Sequence, residues 1–171
     1  MGILLFIMPA YFANSVPVVL GFGAPIDFGR NFVDGKRLFG DGKTIRGFVA
    51  GILAGTLIGL LQAVFLPETQ FALYNNAQGH ALAGFLLSSG TMLGDLAGSF
   101  FKRRLGYKRG QPSFLLDQLF FLLVALALVF PFAPKFVLDA PNLAFLFAFT
   151  YFMHVASNYA ANRLGLKKVP W

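Results

Sequence analysis

Gly94–Leu119 reads GDLAGSFFKRRLGYKRGQPSFLLDQL, and its two ends run into long apolar stretches. Asp95 and Asp117 each sit a few residues inside such a stretch, with Lys102, Arg103, Arg104, Lys108 and Arg109 between them. A carboxylate at the centre of a membrane helix costs about 3 kcal/mol on insertion scales, and less near the ends. Two carboxylates placed where oil begins therefore call for cations, and the rest of the chain is read for what surrounds them.

Of the 171 residues, 57% are hydrophobic and only 12% are charged. A soluble domain carries about 25% charged residues, so this composition cannot cover a water-facing surface. It predicts an all-α integral membrane protein in a single domain over residues 1–171. Twenty-two phenylalanines suit a lipid-facing exterior, and nineteen glycines suit close helix approach. Five segments approach the roughly 20 apolar residues that a crossing needs: 3–23, 47–66, 80–101, 114–133 and 142–162. Pro9 and Pro17 are expected to bend the first and expose carbonyls there. With no cysteine, disulfides and thiolate metal sites are excluded. No basic residue precedes Arg30, so the first apolar stretch reads as a retained span and not as a secretory signal.

The net charge of +7 is informative through its placement. Arg30, Lys36, Arg37, Lys43 and Arg46 fall in the 24–46 loop. Another five basic residues fall in the 102–113 loop, and Arg163, Lys167 and Lys168 in the tail. Only Lys135 of the fourteen basic residues is left for the other side. By the positive-inside rule the N-terminus is outside and the C-terminus cytoplasmic. Part of this charge serves topology and anionic lipid heads, which leaves the aspartates unexplained.

At 1.5 Å per residue, Asp95 lies ~9 Å and Asp117 ~5 Å from the cytoplasmic ends of their predicted helices. The plainest partner for Asp95 is Lys102 or Arg103 on the same helix. A second reading is a Mg²⁺ site, because oxygen ligands without His or Cys clusters suit a cation held by one or two carboxylates and substrate phosphates. Phosphate chemistry fits the neighbours. Ser99 and Lys102 follow Asp95 on one helical face. Gly40–Gly47, GDGKTIRG, brings Lys43, Thr44 and Arg46 to the start of the next span, where backbone N–H groups attract anions. Deeper polar groups, Asn14, His154 and Asn158, read either as helix–helix hydrogen bonds or as part of a pocket.

Gly94, Asp95, Ser99, Lys102, Arg103 and then Asp117 resemble the signature of the phosphatidate cytidylyltransferase family, and Lys43-Thr44…Gly47 resembles its Lys-Lys-Thr-x-x-Gly element. The closer resemblance is to the archaeal branch, the CDP-archaeol synthases. It runs from NSVP in the first span through the 23–47 loop and HVASN in the last span to the closing LGLKKVPW. Bacterial members have Lys-Asp and then Pro-Gly-His-Gly-Gly where this chain has Lys108-Arg109 and Gly110-Gln111-Pro112-Ser113, so contacts from that loop are not carried over.

The resemblance implies CMP transfer from CTP to 2,3-bis-O-(geranylgeranyl)-sn-glycerol 1-phosphate, with Mg²⁺ on Asp95 and Asp117. It makes Lys102 a further catalytic residue and Lys43, Thr44, Arg46, Ser99 and Arg103 phosphate-binding candidates. The partners it implies are CTP, the isoprenoid ether-lipid phosphate and membrane lipid, with no nucleic acid and a homodimer left open. The site would lie at the cytoplasmic face of a multi-pass cell-membrane protein. A transporter or channel built on the intramembrane carboxylates is the alternative. The Asp-Gly-x-x-Ala-Arg cluster of CDP-alcohol phosphotransferases does not occur.

Overall fold

Backbone in lipid must satisfy its own N–H and C=O groups, which favours helices wherever apolar sequence is continuous. The computed structural model describes residues 2–107, 111 and 113–166. Lys108, Arg109, Gly110, Pro112 and the tail with Lys167 and Lys168 lie outside the described residues. Among the described residues the chain is mostly helical, with no strand and two isolated bridges, Pro25–Thr44 and Asn31–Arg37. The helices are α1 (Gly2–Leu20), α2 (Ile45–Phe65), α3 (Ala77–Arg104), α4 (Phe114–Gln118), α5 (Phe120–Val129) and α6 (Ala140–Arg163). Single 3₁₀ turns at Phe130–Phe132 and Lys135–Leu138 link α5 to α6.

Three of the described helices, α1, α2 and α3, are long and apolar enough to cross a membrane. The other two expected spans differ from expectation in instructive ways. The fourth is broken at Leu119 into α4 and α5, just after Asp117. The fifth, α6, has the length but carries Thr150, His154, Ser157 and Asn158 at helical spacing, which lowers its hydropathy. α3 also outruns its expected end, so Lys102, Arg103 and Arg104 belong to its last turn and not to a loop.

Glycine ladders set the packing. Gly47, Gly51, Gly55 and Gly59 recur every four residues and form most of the buried face of α2. A Cβ on Gly59 would stand 2.6 Å from Gly84 Cα, and one on Gly51 2.7 Å from the Ala13 carbonyl. α3 presents a second ladder to α4 and α5. A Cβ on Gly90 would stand 2.6 Å from Ala125 Cα, and one on Gly94 2.7 Å from Phe121 Cα. Small residues are how helices gain packing contact where lipid supplies no hydrophobic drive. α3 is thereby gripped from both sides and becomes the central helix. Outward residues are the large apolar ones, with Leu53 64% and Val64 73% exposed, as a lipid-facing surface requires.

Pro9 and Pro17 lie inside α1. Proline removes the hydrogen bond to the carbonyl four residues earlier. The carbonyl freed by Pro9 is that of Leu5, and Gln62 of α2 donates to it at 2.7 Å. The expected exposed carbonyl thus becomes a bond between helices.

The long α1–α2 connection is ordered by a buried carboxylate. Asp27 Oδ1 accepts from Gly29 N–H at 3.1 Å and Arg37 Nη2 at 2.7 Å, and Oδ2 from Phe39 and Gly40 N–H at 3.0 and 2.9 Å. Burial opposes its charge, but the Arg37 guanidinium and the three N–H groups outweigh burial and hold its carboxyl well below the usual carboxylate range. Arg104 fixes the outer part of the loop to the end of α3. It pairs with Asp34 at 2.8 Å, donates to the Arg37 carbonyl, and lies 4.6 Å from the centre of the Phe100 ring.

Two outcomes test this packing. Gly59→Leu forces a side chain into the Gly84 backbone, and overpacking of this kind costs about 1–3 kcal/mol. The variant is expected to unfold at a lower temperature in detergent, and an unchanged Tm would contradict the ladder. Asp27→Asn is expected to speed amide exchange at Gly29, Phe39 and Gly40 roughly tenfold or more, since bonds to a charged acceptor become weaker neutral ones. Because the folded pKa is depressed, the carboxylate's contribution is fully present above the ordinary range. It is lost only as pH falls from about 4 toward the folded value. Wild-type protection that disappears already near pH 6 would contradict this.

Candidate active site

On α3, Asp95, Ser99 and Lys102 fall at positions i, i+4 and i+7, one stripe along the helix. Each carboxylate of the opening stretch holds a lysine. Lys43 Nζ, arriving from the residue before the α2 cap, donates to both oxygens of Asp95 at 2.6 Å. Lys102 Nζ donates to both oxygens of Asp117, at 2.8 and 2.7 Å, and to the Gln111 carbonyl at 2.6 Å. Ser113 N–H donates to Asp117 Oδ2 at 2.8 Å, fixing the carboxylate on the first turn of α4.

The expectation that Asp95 pairs with Lys102 or Arg103 is therefore corrected. Seven residues separate Asp95 and Lys102, about 10.5 Å along the helix axis. The short α4 brings Asp117 beside Lys102, and the α1–α2 loop brings Lys43 to Asp95. Both pairs are only partly screened from water: the Asp95 and Asp117 side chains are 30% and 35% exposed.

Both pairs line one cavity of about 1320 Å³, bounded by α1, the α1–α2 loop, α3, α4 and α6. Its charged lining is built from Lys36, Arg37, Asp41, Lys43 and Asp95 on one side and Lys102, Arg103 and Asp117 on the other, with Ser99 on the α3 wall. Its other half is neutral. Asn14 faces it from α1, and His154 and Asn158 from α6, with Asn158 Nδ2 donating to His154 Nδ1 at 3.0 Å. At the far end the Tyr11 hydroxyl and Thr150 Oγ1 share a hydrogen bond of 2.7 Å.

The structure thus brings together Asp95, Asp117, Lys102, Lys43, Ser99 and Arg103 of the candidates read from sequence. Thr44 and Arg46 do not line this cavity. Thr44 is buried as the α2 N-cap, its hydroxyl accepting from Gly47 N–H at 3.0 Å. Arg46 turns outward, 3.8 Å from the centre of the Phe22 ring. Lys36, Arg37 and Tyr11 were not singled out by the sequence reading. The first two looked like topology charges, and a lone tyrosine in an apolar helix carries no signal of its own.

Whether a divalent cation fits is decided by the donors. Asp95, Asp117 and Ser99 offer only oxygen, and each carboxylate already carries a cationic group against both of its oxygens. Among the described residues no group of three His, Cys, Asp or Glu could form an all-protein cage. A hard cation bound by one or two carboxylates and completed by substrate phosphates matches this set.

Comparison with known proteins shows the family. The family model for CarS-like CDP-archaeol synthase matches residues 1–171. A CDP-archaeol synthase of Thermococcus gammatolerans is 48% identical over 166 residues, covering 97% of this chain and 93% of the relative. One from Methanocaldococcus jannaschii is 43% identical over 169 residues, covering 97% and 94%. A solved structure of an intramembrane enzyme for archaeal membrane lipid biosynthesis superposes with a TM-score of 0.74 at 38% identity, covering 91% of each chain. With a basic cavity set among apolar helices and a match over its whole length, this membrane protein belongs to the CDP-archaeol synthase family.

Proposed function

We propose that the chain transfers CMP from CTP to 2,3-bis-O-(geranylgeranyl)-sn-glycerol 1-phosphate, giving the CDP-activated ether lipid and pyrophosphate. The observation that carries this reading is the charged half of the cavity. Three carboxylates and five cationic side chains converge there, at the end of the helices where the basic loops gather. Pockets for one small molecule are about 300–1,000 Å³, so a cavity of about 1320 Å³ has room for two substrates. A transporter would need polar groups through the full depth of the membrane. Here the charged ones collect at one end, and the family is enzymatic.

In this reaction a phosphate oxygen of the lipid attacks the α-phosphorus of CTP. A new phosphorus–oxygen bond forms, the bond to the β-phosphate's bridging oxygen breaks, and pyrophosphate leaves with the electron pair. The nucleophile is already anionic, so the site requires no general base. The difficulty is bringing two anions together. Lys36, Arg37 and Lys43 approach the cavity from the loop, and Lys102 and Arg103 from α3, so phosphates held between them meet positive charge from two directions. Ser99 adds a neutral hydroxyl on the same wall. Asp95 and Asp117 orient Lys43 and Lys102 and would hold a divalent ion, which we take to be Mg²⁺. When bound, that ion would neutralise phosphate charge and stabilise the leaving group. Catalysis on this account is chiefly positioning and electrostatics.

Five crossings, with the basic end cytoplasmic, complete the proposal. CTP arrives from the cytosol and the lipid phosphate lies at the interface, so a site at that boundary is reached by both. The excess of lysine and arginine at this end supports the orientation.

Pyrophosphate release by purified protein in detergent tests the reading. Asp95→Asn and Asp117→Asn are each expected to lower turnover by about a hundredfold or more, by analogy with loss of a group acting on transition-state charge. Lys135→Ala, at the opposite end, should stay near the wild-type rate. Wild-type turnover in either asparagine variant would remove the carboxylates from the chemistry.

A further inference from the structure

Outside the spans a side chain no longer faces hydrocarbon, so an exposed aromatic ring there needs a reason that lipid-facing Leu53 does not. Phe22 and Phe28 are such residues. They lie outside any helix, in the connection between α1 and α2, and are 55% and 68% exposed. Among the described residues Phe28 is also the one non-glycine with a positive φ, +47°, where a bulky side chain is an outlier. Its neighbour Asp27 is buried under the loop and accepts from Gly29 N–H, so the same turn that takes the carboxylate in puts the ring out. Each ring has an arginine at hand. Arg46 lies 3.8 Å from the centre of the Phe22 ring, and Arg30 follows Phe28 by two residues. Both arginines are exposed, and among the described residues no carboxylate pairs with either. None of the four lines the cavity.

Their depth follows from the hydrogen bonds. Phe28 N–H donates to the Pro25 carbonyl at 3.1 Å, and Pro25 pairs with Thr44, the N-cap of α2. Phe22 stands two residues past the end of α1. Both rings therefore sit where α1 and α2 leave hydrocarbon, within reach of a headgroup layer about 5–8 Å thick. That layer takes aromatic rings on its apolar side and arginine at its phosphates. We propose that Phe22, Phe28, Arg30 and Arg46 seat the α1–α2 loop on the anionic lipid headgroups of the leaflet at the basic end. Lys36, Arg37 and Lys43, which reach the cavity from this loop, lie in the chain between Arg30 and Arg46. The segment that presents them is thus seated on lipid at both of its ends, and Arg104 fixes its middle to α3.

Tryptophan fluorescence in nanodiscs tests this seat without turnover. The chain has one tryptophan, so Phe28→Trp in a Trp171→Phe background is a sole reporter. Leu53→Trp, on the lipid face of α2, sets the scale for full immersion. At a fixed content of brominated phosphatidylcholine, the Phe28→Trp emission is expected to be quenched, and more so as phosphatidylglycerol replaces the remaining lipid. Acrylamide added to the water should quench it less than it quenches free tryptophan. Arg30→Gln should raise the phosphatidylglycerol fraction needed for half of that gain about fivefold, the size of one basic residue at an anionic surface. Free access to acrylamide with no quenching by bromolipid would overturn the proposal in favour of a water-facing loop. Shielding from acrylamide without bromolipid quenching would overturn it in favour of a protein contact, such as a second copy of this chain. Quenching indifferent to phosphatidylglycerol would overturn the part given to the arginines. Phe22→Trp is a second reporter that does not depend on the turn at Phe28, and a wild-type Tm identifies the folded variants.

Discussion

A carboxylate at a membrane boundary is tolerable only with a cation against it, and the two lysine–aspartate pairs satisfy that constraint at the centre of this protein. Lys43–Asp95 ties the α1–α2 loop to α3, and Lys102–Asp117 ties α3 to α4. Much of the remaining architecture serves to deliver these four residues. The loop must be ordered to present Lys43, which Asp27 accomplishes from within and Arg104 from outside. The fourth apolar segment must begin with a short separate turn, which lets Asp117 and Ser113 N–H meet. Neither pair is worth much as a stabiliser at this exposure. Their value lies in holding four chargeable groups along one wall of a cavity.

The glycine ladders work toward the same end. With α2 pressed on one side of α3 and α4–α5 on the other, α3 is held on two faces and its Asp95–Ser99–Lys102 stripe is left to the cavity. α6 stands across the cavity from this stripe, meeting α1 at the Tyr11–Thr150 bond. The result is a closely packed wall on α3 facing a more sparsely packed one on α6. That arrangement suits a site that must hold phosphates in register while a membrane-borne substrate comes and goes.

Much of this was legible in the sequence. Scarce charge and long apolar runs identified a helical membrane protein, and the aspartates with their basic neighbours identified the charged half of the cavity. Pairing was not legible, because Lys43 is fifty-two residues from Asp95 and only the folded loop brings them together. Thr44 and Arg46 shared a motif with Lys43 but point elsewhere, since successive residues at a helix start face different directions. The break at Leu119 was hidden because the stretch FLLDQLFFLL has no proline or glycine to mark it. The four-residue spacing of Gly47, Gly51, Gly55 and Gly59 was present to be read, although which helix it would meet was not.

The central claim is that two anionic substrates meet in this cavity and that phosphorus passes from nucleotide to lipid. Following the α-phosphate of labelled CTP tests it most directly. With the isoprenoid glycerol phosphate and a divalent cation present, label should appear in the lipid extract in step with pyrophosphate release, and both should stop with EDTA. Label that stays in water-soluble nucleotide, or pyrophosphate released without the lipid phosphate, would contradict the account.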